Sequence, residues 1–181
     1  MSAATRPTGR TIVLVGLMGA GKTTIGRRLA AALRMPFRDA DAEIEAAAGC
    51  SISGIFARYG EAAFRDGERK VIARLLDEPP HVLATGGGAF IDPQTRHLIN
   101  SRAISVWLRA DLGLLARRVS RRDTRPLLAG KDPLEVLEQH AQARYPDYAE
   151  AHFTIDTGDV AHHRTVDAII ATLAGKAAVR P

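Results

Sequence analysis

The chain has 181 residues, 46% hydrophobic and 25% charged, the balance of a single soluble globular domain. Its lone cysteine, Cys50, excludes an internal disulfide and a cysteine-built metal cluster, and it suits a reducing compartment. A net charge of +5 admits nucleic acid or small anions as partners, but aromatics make up only 5% and form no base-stacking pattern.

Of the 25 basic residues, 21 are arginines, the side chain that grips carboxylates and phosphates in bidentate geometry. Residues 1–9 read as a flexible N-terminus with no apolar signal-peptide core. The longest apolar run, 12–21, falls short of the ~18–20 residues that cross a bilayer. The expectation is a cytoplasmic protein with neither membrane nor nucleic acid as partner.

In chain order, "TIVLV" (11–15) is a continuous β-branched run, as for a strand buried on both faces. A glycine-rich loop follows, then a helix from about Thr23 to Leu33 that ends before Pro36. "FRDAD" (37–41) reads as a short second strand with two aspartates at its end. Residues 42–80 read as mostly helical, with Ile44, Ala47 and Ala48 on one apolar face and Ile55, Phe56 and Tyr59 on another. "HVLAT" (81–85), "AISVWL" (103–108) and "HFTID" (152–156) are three further strands. Helices at about 94–101, 111–119, 133–149 and 162–174 lie between and after them. Strands alternating with helices predict an α/β fold, a parallel sheet covered on both faces, with ligands at the carboxyl ends of the strands.

"GLMGAGKTT" (16–24) fits the phosphate-loop pattern G-x-x-x-x-G-K-[ST], with a strand before it and a helix after it. Gly19 and Gly21 let the backbone close on a phosphate, Lys22 reaches the β- and γ-phosphates, and the Thr23 hydroxyl faces Mg²⁺. Phosphate-loop proteins commonly hold the metal with an acid ending a later apolar strand, but here "HVLAT" runs into "GGG". The nearest acids are Asp39 and Asp41, which an extended backbone would point the same way. Asp41 also reads equally well as the N-cap of the helix that follows.

Three signals point to a small anionic acceptor. Arg65 and Glu68 stand three apart on a helix, where the acid can orient the guanidinium. "TGGG" (85–88) lets a ligand press on bare backbone, and Arg144 lies near a helix end.

The set "GLMGAGKTT", "DAD", "GCSISGIFARYGEAAFRDGE", "TGGG", "RPLL" and "ARYPDYAE", in this order and spacing, resembles the shikimate kinase family over about residues 10–175. The resemblance implies a single domain with the three-layer P-loop kinase fold of nucleoside monophosphate kinases, and a five-stranded parallel sheet in the order 2-3-1-4-5. It implies transfer of the γ-phosphate of ATP to the 3-hydroxyl of shikimate, a step toward chorismate and the aromatic amino acids. Carried over by motif, Asp41 binds the shikimate hydroxyls, Arg65 and Arg144 its carboxylate, and Gly87 donates a backbone N–H. Gly19, Ala20, Gly21, Lys22, Thr23 and Thr24 hold ATP; Thr23 ligates Mg²⁺ directly and Asp39 does so through water. Residues 42–80 become the shikimate-binding segment and 117–131 a lid, in which Arg125 meets the phosphates and Arg118 packs on the adenine.

The lid also reads independently as a mobile cationic flap, with Arg117, Arg121 and Arg122 as solvated charges. After the fifth strand the chain departs from the family: "DTGDVAHHR" replaces an adenine-contacting arginine, and His162 and His163 read as solvated helix-start residues. Lys22, Asp41 and Arg125 are the expected catalytic residues, and a monomer is the expected state. The alternatives are another small-molecule kinase such as gluconate kinase, or an ATP-binding module without turnover.

Overall fold

The computed structural model describes residues 9–121 and 130–177. Among these, five strands form one parallel sheet: β1 Ile12–Val15, β2 Phe37–Asp39, β3 Val82–Ala84, β4 Ile104–Ala110 and β5 Phe153–Thr157. Their order is β2-β3-β1-β4-β5, the order implied by the family resemblance. Seven helices accompany them: α1 Lys22–Leu33, α2 Ala40–Ala48, α3 Ile52–Leu76, α4 Pro93–Arg102, α5 Leu112–Ser120, α6 Pro133–Tyr148 and α7 His162–Ala177.

β1 occupies the middle of the sheet because all four of its side chains are apolar, and all four are fully buried. Successive residues of a strand face opposite ways. Val106 of β4 lines one small cavity with Ile169 and Leu173 of α7, whereas Trp107 packs on Tyr145 and Tyr148 of α6. Helices α6 and α7 therefore cover opposite faces. α1 packs beside α7, and Gly26 lets it sit close to the sheet: a Cβ there would come within 2.7 Å of the Phe37 ring. β5 lies at an edge and alternates buried with exposed residues, and Arg109 and Asp156, exposed register partners on β4 and β5, form an ion pair.

Register brings the functional segments to one edge. Asp39 pairs with Ala84, Ala84 with Leu14, and Val15 with Trp107. The chain following β1, β2 and β3 therefore leaves the sheet on the same side.

The second strand is shorter than the sequence suggests. It stops at Asp39, and α2 starts at Ala40. The Asp39 carboxylate accepts from the backbone N–H groups of Asp41 and Ala42, so Asp39 is the N-cap. Asp41 thus lies in the first helical turn, neither on the strand nor at the cap. The apolar face read for α2 is also narrower: Ala40 and Ile44 are buried, and Ala47 and Ala48 are exposed. In α3, Ile55 is buried but Tyr59 is 66% exposed. Gly60, at φ 77° and ψ 176°, breaks the helix and turns the segment carrying Phe64, Arg65 and Glu68 in a new direction. Helix α1 ends at Arg34, in the left-handed conformation, one residue before the Met35–Pro36 pair.

Candidate active site

An open cleft of about 600 Å³ lies at that edge, lined by the phosphate loop, Asp39, Asp41, Gly86, Gly87 and Arg118, among others. Its donor end is the loop from β1 to α1. Gly19 and Gly21 take φ of 81° and 89°, where side chains with a Cβ are strained. Gly21 is the N-cap of α1 and has no side-chain acceptor, and no acid occupies the first turn. The N–H groups of that turn and the positive helix end are left to an anion. Lys22 is 9% exposed and donates to the carbonyls of Gly16 (2.7 Å) and Leu17 (2.9 Å). Thr24 and Gly19 line the cleft, whereas Ala20 is buried beneath it.

Thr23 Oγ1 donates to Asp39 Oδ2 at 2.8 Å. The cap of α2 and the hydroxyl at the start of α1 thus face one another, one carboxylate oxygen serving the cap and the other the cleft. No group of three or more His, Cys, Asp or Glu side chains is poised for a metal among the described residues. A hydroxyl beside one carboxylate nevertheless fits Mg²⁺, which binds hard oxygens, keeps several waters and takes other ligands from phosphates.

Arg118 of α5 reaches over the loop, with Nη1 and Nη2 each 3.4 Å from the carbonyls of Gly19 and Gly158. Arg117 is exposed, as expected for a solvated charge; Arg121 is exposed too but lines the cleft. His162 also lines it and is only partly exposed, which differs from the solvated reading. Burial, then Arg28 and Arg118, lower the pKa of His162, which favours its neutral form. Arg122 and Arg125 lie outside the described residues.

The acceptor end gathers four separate stretches. A Cβ on Gly86 would stand 2.9 Å from Asp41 Oδ1 and 3.4 Å from Glu68 Oε2, so both carboxylates face this glycine. Glu68 is 2% exposed and binds Arg65 Nη1 through Oε1 at 2.7 Å. Burial pushes the Glu68 pKa up; the Arg65 hydrogen bond and charge oppose this, and Asp41 and Asp92 add to it. The Arg65 guanidinium presses close on Gly88, where a Cβ would fall 2.3 Å from Nη2 and 2.6 Å from Nη1. Arg144 Nη1 is 3.4 Å from the Gly87 carbonyl. All the described residues assigned to the acceptor are therefore brought to one place.

Sequence reading missed three residues here. Tyr148 is fully buried and donates its hydroxyl to the Gly87 carbonyl; burial raises its pKa to about 12. His140, one turn before Arg144, has a buried Nδ1 that finds no hydrogen-bond partner among the described residues, and burial and Arg144 lower its pKa. Arg96 binds Asp147 (3.2 Å), Glu150 (2.9 Å) and the carbonyls of Phe90 and Ile91 (3.0 Å each), which clamps the end of α6 onto the turn after Gly88. The i, i+4 spacing of His140, Arg144 and Tyr148 is the sequence signal that links the first and last of these to the site.

Among the described residues no helix is long and apolar enough to cross a membrane. A family model described as shikimate kinase matches residues 18–174. A shikimate kinase of Caulobacter vibrioides is 68% identical over 164 residues, which span 91% of this chain and 82% of that protein. The solved structure of a shikimate kinase from Acinetobacter baumannii in complex with shikimate superimposes with a TM-score of 0.89 at 39% identity, covering 94% of this chain and 96% of that one. A gluconokinase from Sinorhizobium meliloti superimposes at 0.59 and 20% identity, covering 92% of each chain, a likeness of fold alone.

Proposed function

The chain belongs to the shikimate kinase family, and we propose that its cleft carries out that family's reaction with the residues described above. The reaction is transfer of the γ-phosphate of ATP to the 3-hydroxyl of shikimate, giving shikimate 3-phosphate and ADP. The observation that carries the site assignment is the convergence of Asp41, Arg65 and Arg144 on Gly86–Gly88, a turn that packs beside the phosphate loop and lines the same cleft.

The loop N–H groups and the start of α1 bind the ATP phosphates. Lys22 leaves the carbonyls of Gly16 and Leu17 for the β- and γ-phosphates, and its charge offsets the negative charge on the transferred oxygens. Thr23 and Asp39 would hold Mg²⁺, Asp39 through water, and the ion would supply charge neutralisation at the phosphates. Arg65, steadied by Glu68, and Arg144 take the acceptor carboxylate, and the N–H of Gly87 donates to the substrate. Asp41 accepts from the acceptor hydroxyls and points the nucleophile in line. A loose transition state needs little early proton removal, so orientation is the main contribution of Asp41. Arg118 packs on the adenine, and Arg125 of the 117–131 lid meets the phosphates. The enzyme works as a cytoplasmic monomer on two small molecules.

ADP release from Mg-ATP by the purified protein tests this reading, with shikimate, gluconate, a nucleoside monophosphate or no acceptor. Turnover restricted to shikimate is expected. Turnover only with another acceptor would overturn the acceptor assignments and leave the donor end standing.

A further inference from the structure

Resting on the reading of Arg144 as a carboxylate ligand, the geometry points to Tyr148 as a positioning residue for acceptor binding. We infer that its hydroxyl holds the Gly87 carbonyl away from the acceptor and leaves Arg144 free for the carboxylate.

Gly86, Gly87 and Gly88 have no side chains to fix their backbone, and glycine moves through more conformations than other residues. A carbonyl turned into the cleft would repel the carboxylate that Arg65 and Arg144 attract. Tyr148 removes that conflict, because its hydroxyl donates to the Gly87 carbonyl from the α6 side. In a trans peptide the N–H points opposite to the carbonyl, so the Gly88 N–H turns away from α6. Arg144 contacts the same carbonyl at 3.4 Å and also interacts with the Tyr148 hydroxyl. With Tyr148 satisfying the carbonyl, Arg144 can move to a ligand without leaving a buried acceptor unpaired.

Tyr148 can hold this position because its own ring is fixed. It is fully buried, and its ring centroid is 5.7 Å from that of Trp107. Trp107 also packs edge-on to Tyr145 and against Gly16, the first residue of the phosphate loop. The Arg96 clamp ties the residues on either side of Tyr148, Asp147 and Glu150, to the turn after Gly88.

The test is Tyr148→Phe, which removes one hydroxyl and keeps the ring, assayed with shikimate and with its uncharged methyl ester. The KM for shikimate should rise about tenfold, as for loss of one good hydrogen bond. The KM for ATP should be unchanged, kcat should stay within about twofold, and the KM for the ester should rise less than about twofold. In an Arg144→Ala background the added loss on shikimate should also be under about twofold. Equal losses for shikimate and ester would reduce Tyr148 to a structural role and overturn the inference, as would an unchanged KM for shikimate. Absence of shikimate turnover in the unaltered protein would instead sink the kinase reading itself. The Arg144→Ala pair also reads the coupling if Tyr148→Phe lowers the melting temperature.

Discussion

The phosphate-binding part of the cleft is built around one run of residues, Gly16 to Thr24, whereas the acceptor end draws on four stretches between Asp41 and Tyr148. The donor end recognises its ligand largely with backbone: a glycine turn, an uncapped helix start and one lysine. The acceptor end recognises its ligand with side chains from separate stretches, several of them held by a partner on the same helix or by main-chain carbonyls of another stretch. Glu68 steadies Arg65, Tyr148 and Arg144 share the Gly87 carbonyl, and Arg96 ties down α6. Phosphate is a common ligand that local backbone can hold. A particular small acid requires charges at set distances, which only the packed fold supplies.

The contrast predicts that changes at the donor end slow the chemical step and changes at the acceptor end weaken acceptor binding. Lys22→Ala should have the largest effect, a fall in kcat of about 10³-fold or more with the melting temperature nearly unchanged. A kcat within tenfold of the original would remove Lys22 from the reaction.

Asp39 tests the junction of the two ends, since one oxygen caps α2 and the other faces Thr23. Asp39→Ser keeps a capping oxygen and should lower kcat by about 10- to 100-fold, with stability retained. Asp39→Ala should lower kcat similarly and also cost about 1 kcal/mol of stability, read by denaturant unfolding. Equal stability in both variants would mean that the cap contributes nothing.

Arg65→Ala should raise the KM for shikimate by about 10- to 100-fold and leave the KM for ATP alone, as expected for loss of a charge-assisted pair. It also leaves the buried Glu68 carboxylate unpaired, so unfolding should come at lower denaturant. A matching fall in kcat at saturating shikimate would place Arg65 in the chemical step and break the contrast.

The smallest effect concerns pH. Burial raises the Glu68 pKa above 4.5, so folding favours its protonated form. That contribution to stability is full below pH 4.5 and fades as pH rises through the folded-state pKa. Acceptor binding runs the other way, because only the carboxylate pairs fully with Arg65. The KM for shikimate should therefore climb as pH falls through that pKa, and Glu68→Gln should flatten the climb. A profile unchanged by Glu68→Gln would assign the titration to another group.

The fold was legible because alternating strand and helix signals stand at ordinary spacing, and β1 is apolar throughout. The phosphate loop was legible because its pattern is contiguous. Asp39 and Asp41 were found, but their local structure was not. An extended strand and a helix start compete over "DAD", and the Asp39 side chain settles it by bonding to the N–H groups of residues 41 and 42. Helical periodicity marks Ala47, Ala48 and Tyr59 as an apolar face, but among the described residues they stay exposed. Tyr148 and Arg96 went unread because their partners are main-chain carbonyls 61 and 6 residues away, which leave no pattern in the sequence.

The sequence by itself determined the order of elements, the phosphate loop and which charged residues are available, since each depends on neighbours within a few turns of chain. Tertiary structure alone decided that Arg65 presses close on Gly88, that Glu68 is buried, and that Tyr148 and Arg144 meet at Gly87. Those contacts join residues far apart in the chain. Parallel register and the docking of α3 and α6 bring them together, and distances of a few ångströms there set the charge and direction of each group.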